Sequence, residues 1–122
     1  MYVRGIRGAT TVEQNEEQQI LSATIELLHA IVDANKFEPE DISCVWITVT
    51  EELTATFPAR AIRQMSGWEM VPLMCALEIP VQNSLKNCIR LMVQVNTEKK
   101  QHEVQHIYLN GARALRPDLA GS

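Results

Sequence analysis

The segment 87–96 limits the possible folds most strongly, because two kinds of side chain alternate along it. Such a period of two predicts a β-strand with one face in a core. One face carries Ile89, Leu91, Val93 and Val95, and the other carries Cys88, Arg90, Met92 and Gln94. The chain is therefore expected to build a sheet whose second face carries an arginine.

Residues 15–34 predict a long helix that covers this sheet. Apolar residues recur there with a period of about 3.6. They form one face made of Ile20, Ala23, Leu27, Leu28, Ile31 and Val32. Asn15 is the expected N-cap, with Gln18 in the capping-box position, and Asn35 is the expected stop.

The remaining segments complete a single domain over residues 1–122. Further strand patterns cover residues 2–9, 43–50, 71–77 and 106–109. A single helical turn is expected at residues 39–41, and a short helix is expected to follow Pro58 and to end at Gly67. We therefore expect an α+β domain with a mixed or mostly antiparallel sheet of about five strands, one long helix and one short helix. One sheet face would be under-covered, which points to an oligomer. The tail from about residue 117 is expected to be mobile.

Composition argues against several functional classes. The chain has 122 residues, a net charge of −4 and 46% hydrophobic residues, so we expect a globular protein that does not bind nucleic acid. No apolar run approaches the roughly 18 residues that a membrane-spanning helix needs. The first residues lack a signal-peptide pattern, and the three cysteines form neither a disulfide framework nor a zinc motif. A cytoplasmic location fits best.

The charges are unevenly distributed. Residues 1–52 hold ten acidic and three basic residues, whereas residues 53–122 hold five acidic and eight basic residues. Seven of the bases are arginines, which bind carboxylates and phosphates through paired hydrogen bonds. For any single arginine, solvated surface charge is the simpler interpretation. Surface charge explains the seven arginines together less well, because Arg90 lies within an apolar strand pattern.

Three motifs have a simpler structural interpretation. His102 to His106 reads H-E-x-x-H, but we reject a zinc site because His106 leads directly into a strand pattern. Cys75 fits a buried structural thiol better than a nucleophile. Glu78 follows a strand, where either a functional or a merely solvated carboxylate can occur. The residues alone favour a site for a small anionic metabolite that bears carboxylates.

The segment 3–12, with the sequence VRGIRGATTV, resembles the N-terminus of small monofunctional bacterial chorismate mutases of the trimeric, α/β-barrel-like class. The resemblance extends over essentially the whole chain and ends in LRPDL at 115–119. Its other matching positions include Phe57 to Ala59, Arg63, 66–68, 71–73, Cys75, Glu78, Cys88 to Arg90 and 106–109.

The resemblance implies a unimolecular Claisen rearrangement of chorismate to prephenate, a step toward tyrosine and phenylalanine. No cofactor and no metal are implied, because the ether bond breaks and a carbon–carbon bond forms without proton transfer. The implied means of catalysis are restraint of the substrate conformation and fixed positive charge at the ether oxygen. The implied assembly is a homotrimeric pseudo-α/β-barrel of ferredoxin-like subunits with active sites between subunits.

The resemblance also implies residue roles. Arg90 is expected to donate to the ether oxygen, Arg7 and Tyr108 to hold a carboxylate, and Glu78 with Cys75 to bind the ring hydroxyl. The catalytic set is thus Arg7, Glu78 and Arg90.

Further residues are expected to line or close the pocket. Those of the substrate-lining segment are Met74, Ala76 and Leu77. Those expected to close the pocket across the subunit boundary are Phe57, Arg60, Arg63 and Leu115, with Arg116 near its mouth. Arg60 stands where the best-known members have Lys, and Met74 where they have a smaller residue. The alternative function is a non-catalytic trimeric module that binds an anionic metabolite on the same fold.

Overall fold

A computed structural model describes residues 1–115. Within that range the strands are β1 (Tyr2–Thr11), β2 (Ile42–Val49), β3 (Leu73–Leu77), β4 (Cys88–Thr97) and β5 (Ile107–Tyr108). The α-helices are α1 (Glu17–Asn35) and α2 (Ala59–Arg63), and three short 3-10 turns are Pro39–Asp41, Gln101–Glu103 and Asn110–Ala114. This content confirms the predicted α+β class. The prediction of a mobile tail from residue 117 lies outside the described residues.

The five strands form one mixed sheet in the order β3-β2-β4-β1-β5. Strands β1 and β2 are both antiparallel to β4, whereas β3 is parallel to β2 and β5 is parallel to β1. The two strands that α1 connects therefore run in the same direction on either side of β4. This is the split β-α-β arrangement of ferredoxin-like folds.

The core lies between the sheet and the two helices. The apolar face of α1 is buried, as its period predicts, and it packs with buried residues of β1, β2 and β4. Gly8 in β1 makes the approach of the helix possible, because a Cβ atom there would lie 2.6 Å from Cδ1 of Ile31 and 3.1 Å from Cδ1 of Leu27. Helix α1 thus packs directly on β1 at Gly8.

The start of α1 differs from the prediction. Its N-cap is Glu16, whose carboxylate accepts hydrogen bonds from the backbone N–H groups of Gln18 and Gln19 at 2.8 and 3.3 Å. The side-chain oxygen of Asn15 instead accepts the backbone N–H groups of Thr54 and Ala55, each at 2.9 Å. Asn15 is therefore used to hold a distant loop, and the carboxylate beside it caps the helix.

The end of α1 is close to the predicted stop. Asn35 is the last helical residue, and Lys36 adopts the left-handed conformation with φ 55°. The buried side chain of Asn35 bonds both backbone groups of Gln105, at 2.8 and 2.9 Å. This amide fixes the segment that leads into β5.

The short second helix ends earlier than predicted. It stops at Arg63 with Gln64 as its C-cap, and Gly67 lies in the following turn with φ 89°. Strands β3 and β5 are also shorter than their patterns, since β3 begins only at Leu73 and β5 has two residues. Pro72 has no backbone N–H to donate, which is consistent with the late start of β3.

One face of the sheet remains open in the described chain, as the alternation in β4 predicts. The helices pack on the opposite face, against the buried aliphatic side chains of β4, which are Ile89, Leu91, Val93 and Val95. On the open face Trp46 is 44% and Met74 is 58% exposed. No helix among residues 1–115 is long and apolar enough to cross a membrane.

Candidate active site

A cleft of about 230 Å³ lies over the open face of the sheet, and we call it the arginine cleft. Its lining comprises Arg7, Gly8, Trp46, Thr48, Glu78, Arg90, Leu91, Met92 and Tyr108. Four residues predicted from the sequence to act together are in this set: Arg7, Glu78, Arg90 and Tyr108. Two arginines and one carboxylate give the lining an excess of positive charge.

Strand register brings the cleft residues together. Arg90 in β4 pairs with Ala9 in β1 on one side and with Thr48 in β2 on the other. Ala9 in turn pairs with Tyr108 in β5. Directly paired residues share a sheet face, so the Arg90 side chain emerges between those of Thr48 and Tyr108.

Glu78 follows the last residue of β3 and is held from several sides. Its backbone N–H donates to the Val49 carbonyl at 2.9 Å. Its carboxylate accepts a hydrogen bond from the Thr48 hydroxyl, and the Arg90 Nη1 atom lies 3.3 Å from Oε2 and 3.4 Å from Oε1. The carboxylate is thus half-buried and hydrogen-bonded at the border of the arginine cleft.

Arg7 and Tyr108 are fixed mainly through their backbones and neighbours. The Arg7 backbone N–H donates to Nδ1 of His106 at 2.9 Å. Tyr108 is buried in a small second core with Ala9, Cys88 and Ala112. Tyr108 also lines the arginine cleft, so it connects this small core with the cleft.

Leu115 lies beside the arginine cleft rather than in its lining. It borders an adjoining pocket of about 220 Å³, which Glu78 and Arg90 also line. Arg116, predicted at the mouth of the pocket, lies outside the described residues.

A second cleft, which we call the Phe57 cleft, holds most of the other predicted residues. It measures about 650 Å³, and its lining includes Phe57, Arg60, Cys75, Ala76 and Leu77. None of its lining residues belongs to the arginine cleft. Most of the predicted site residues are therefore divided between two clefts of one chain that share no lining residue.

Arg60 forms an ion pair and a hydrogen bond within the chain. Its Nη1 atom lies 2.9 Å from Oε1 of Glu17 and 2.7 Å from the Thr56 hydroxyl. The side chains of this ion pair are 41% and 51% exposed, so solvent screens it and it holds Arg60 only weakly. The guanidinium thus remains near the Phe57 cleft and accessible.

Arg63 and Met74 are exposed and line neither cleft. Met74 pairs with Trp46 across β2 and β3, so it lies on the open face of the sheet near the arginine cleft. Within a single chain, neither residue joins the predicted pocket.

Two groups near the start of β4 have shifted pKa values. Burial raises the pKa of the Cys88 thiol to about 11. Hydrogen bonds from the Thr50 side chain and then from the Asn87 backbone hold the pKa of Glu52 below its usual value. Both groups lie where the strand that carries Arg90 begins.

The histidines of the H-E-x-x-H motif do not share a helix. Gln101–Glu103 is a 3-10 turn and Ile107–Tyr108 is a strand, so His102 and His106 lack the spacing that a helix would give them. Across residues 1–115, no group of three or more His, Cys, Asp or Glu side chains could hold a metal ion. The strand predicted after His106 is present, and it is the reason why the motif lacks the geometry of a helical zinc site.

Sequence reasoning missed five residues of the cleft lining: Gly8, Trp46, Thr48, Leu91 and Met92. The alternation in segment 87–96 could have identified Met92, which shares a face with Arg90. It could not identify Thr48, because the pattern of segment 43–50 shows which residues share a face with Thr48 but not which strand lies opposite it. Only the pairing of β2 with β4 places Thr48 opposite Arg90.

A family model described as chorismate mutase type I matches residues 3–119. The chain belongs to this family. Chorismate mutase AroH of Bacillus subtilis is 46% identical over 120 residues, which cover 98% of this chain and 94% of that protein. Chorismate mutase AroH of Thermus thermophilus is 48% identical over 118 residues, covering 96% of each.

A solved structure of a chorismate mutase from Clostridium thermocellum has the same fold. It superposes with a TM-score of 0.88 at 46% sequence identity, over 90% of this chain and 97% of that one. The resemblance inferred from the sequence is thereby confirmed. Membership in the chorismate mutase family makes the chain an isomerase of aromatic amino acid biosynthesis.

Proposed function

We propose that this chain rearranges chorismate to prephenate, with the arginine cleft as the part of the enzyme that stabilises the transition state. The observation that carries the proposal is the convergence of Arg7, Arg90, Glu78 and Tyr108 on one cleft of a chorismate mutase fold. The substrate is a dianion, and the cleft offers two cationic side chains. The positive charge of the arginine cleft therefore complements the negative charge of the substrate.

The reaction needs neither a nucleophile nor a proton carrier. The ether C–O bond of chorismate breaks while a C–C bond forms in the same molecule, so every atom of the substrate is kept. Negative charge grows on the ether oxygen as its bond to the ring lengthens. A guanidinium fixed at that oxygen binds the transition state more tightly than the ground state, which is the requirement for a faster chemical step.

In this proposal Arg90 donates to the ether oxygen and to the neighbouring carboxylate. Arg7 and the Tyr108 hydroxyl hold a carboxylate, and Glu78 accepts the hydrogen bond of the ring hydroxyl. Together these contacts select the compact conformer in which the two reacting carbons approach each other. The rigid strands that carry Arg7 and Arg90 support such preorganisation, because register fixes their separation.

We further propose a homotrimer with the active site between subunits. The two clefts of one chain share no lining residue, and each holds only part of the predicted site. The open sheet face also exposes Trp46 and Met74, which a neighbouring subunit would bury. In the trimer, the Phe57 cleft of one subunit would close the arginine cleft of the next and contribute Phe57, Arg60 and Cys75. The exposed Arg63 would reach the same site from outside that cleft.

A cytoplasmic location completes the proposal. Cys44, Cys75 and Cys88 are all free thiols, as proteins of a reducing compartment usually keep them.

The proposal is tested by incubating the purified protein with chorismate in the presence of a metal chelator. We expect prephenate to form far faster than in buffer, with no cofactor added. Saturable binding of chorismate without faster prephenate formation would contradict catalysis and favour a binding module. A rate equal to that in buffer, without binding, would exclude both.

A further inference from the structure

Thr48 is a polar residue of the arginine cleft to which the proposed reaction assigns no part. It lies in β2 directly opposite Arg90 in β4, and its half-buried side chain lines the arginine cleft. Its hydroxyl donates a hydrogen bond to Oε2 of Glu78, the same carboxylate that Arg90 approaches. Thr48 therefore contacts the partner of the proposed catalytic arginine.

We propose that Thr48 is a positioning residue, whose hydroxyl keeps the Glu78 carboxylate oriented for the ring hydroxyl of the substrate and prevents it from closing onto Arg90. This inference rests on the proposed function. Thr48 acts through Glu78 and does not itself touch the reacting atoms.

The lengths of the contacts support this role. Charge-assisted N–H···O bonds of arginine to carboxylates are usually about 2.7–2.9 Å long. The Arg90 Nη1 atom lies 3.3 and 3.4 Å from the two Glu78 oxygens, so these contacts are longer than a usual arginine–carboxylate hydrogen bond. A carboxylate that was free to rotate would be drawn onto the guanidinium and would reduce the positive charge available to the substrate.

The restraints on Glu78 explain why a second anchor is needed. The backbone of Glu78 is fixed by its N–H bond to Val49, but this bond leaves the side-chain torsions free. Thr48 supplies the missing restraint from a strand, where its branched side chain has few rotamers. Its hydroxyl occupies one carboxylate oxygen and leaves accepting capacity on the other.

Thr48→Val and Thr48→Ser form a matched pair for the test. Valine keeps the shape of threonine but cannot donate, whereas serine keeps the hydroxyl. We expect kcat to fall about tenfold in Thr48→Val, with a smaller change in KM. A rate loss of about this factor corresponds to the loss of one hydrogen bond to a charged group. We expect Thr48→Ser to stay within about threefold of the wild type.

A double-mutant cycle separates positioning from a general structural role. In a Glu78→Ala background the Thr48→Val substitution should cost less than about twofold, because the group that it positions is gone. An equal loss in both backgrounds would overturn the proposal, as would full activity of Thr48→Val in the wild-type background. Equal thermal unfolding of all variants would show that the kinetic changes do not come from a damaged fold.

Crystal structures of both Thr48 variants provide a readout that does not depend on turnover. We expect the Glu78 carboxylate to rotate toward Arg90 in Thr48→Val and to keep its place in Thr48→Ser. An unmoved carboxylate in Thr48→Val would overturn the positioning role. If the wild-type protein failed to convert chorismate, the proposed function would fail, and these structures would still decide what Thr48 does to Glu78.

Discussion

The Arg90 guanidinium lies 3.3 Å from Oε2 of Glu78, at the junction of the central strand with the segment that follows β3. The side chains of the two residues are 44% and 22% exposed, so their attraction adds little to the stability of the fold. Its importance is positional, because the pair presents a cation and a hydrogen-bond acceptor side by side. A substrate that carries both a carboxylate and a hydroxyl can engage both groups at once.

The first prediction concerns the glycines of β1. Gly8→Ala should lower the free energy of unfolding by about 1–3 kcal/mol, because its Cβ would lie 2.6 Å from Cδ1 of Ile31 in the packed helix. Gly5→Ala is the matched control, since its Cβ would meet only the flexible Met92 side chain, at 3.2 Å. Urea unfolding of the two variants measures the difference. Equal losses would contradict the close approach of α1 to Gly8.

The second prediction concerns Glu52 and acid stability. Its pKa is lowered in the folded protein, first by Thr50 and then by the Asn87 backbone, so the ionised form stabilises the fold. This contribution is present above the ordinary pKa of a glutamate and is lost as the pH falls through the lowered one. Glu52→Gln should therefore reduce the free energy of unfolding at pH 7, by less than about 1 kcal/mol because solvent screens this largely hydrated group.

The Glu52→Gln deficit should begin to shrink as the pH falls below about 4, where the unfolded state takes up a proton, and should be smallest below the lowered pKa of the folded state, where the carboxyl group is neutral in both states. Denaturant titrations at neutral and acidic pH measure this change. Glu51→Gln is the control, because it removes the same charge from the adjacent, exposed position. A deficit that is the same at both pH values would show that the charge of Glu52 is irrelevant.

The third prediction concerns Cys88 at alkaline pH. Burial raises the pKa of this thiol to about 11, whereas an unfolded cysteine titrates at about 8.5. Below the pKa of the unfolded cysteine, the thiol is neutral in both states and does not change the free energy of unfolding. As the pH rises from there through the folded pKa, the unfolded state loses its proton first, so stability falls by up to about 3 kcal/mol.

Comparison with Cys88→Ala isolates this effect from other alkaline titrations. The free energy of unfolding should fall more steeply with pH in the wild type than in the variant over this range. Parallel curves would mean that the Cys88 thiol ionises normally in the folded protein.

The fourth prediction tests whether the two clefts meet between subunits. Arg90→Ala damages the arginine cleft and Arg60→Ala damages the Phe57 cleft, so each variant alone should be impaired. Refolding the two together should restore about a quarter of the wild-type activity, because a random mixture pairs intact halves at about that frequency.

Arg90→Ala mixed with Arg7→Ala is the matched control for that experiment. Both substitutions lie in the arginine cleft of the same chain, so no mixed assembly contains an intact site. Recovery in this control, or none in the Arg90→Ala and Arg60→Ala mixture, would contradict a site shared between subunits. Sedimentation of the wild-type protein should independently give the mass of a trimer.

The sequence was informative where side-chain periodicity is strong. The alternation in β4 predicts both the buried face and the exposed position of Arg90, and the period of α1 predicts its buried stripe. The N-cap was predicted one residue early, because Asn15 and Glu16 can both cap a helix. The distant backbone of Thr54, which Asn15 binds, decides between them.

The composition of the site was predicted less completely than the fold. Glu78 is 30 residues from Thr48 in the sequence, so nothing local indicates that the Thr48 hydroxyl meets its carboxylate. The separation of Phe57 and Arg60 from Arg90 likewise depends on where the segment that follows β2 lies relative to β4. Such relations come from strand pairing, which local patterns do not encode.

Replacement of Arg90 tests the central claim most directly. The kinetics of chorismate conversion should be compared for the wild type, Arg90→Ala and Lys100→Ala, which removes an exposed positive charge outside both clefts. We predict that Arg90→Ala folds normally but loses about 3 kcal/mol of transition-state stabilisation, at least a hundredfold in kcat, while Lys100→Ala stays near the wild type. A folded Arg90→Ala protein that kept near-normal kcat would contradict the electrostatic role of Arg90.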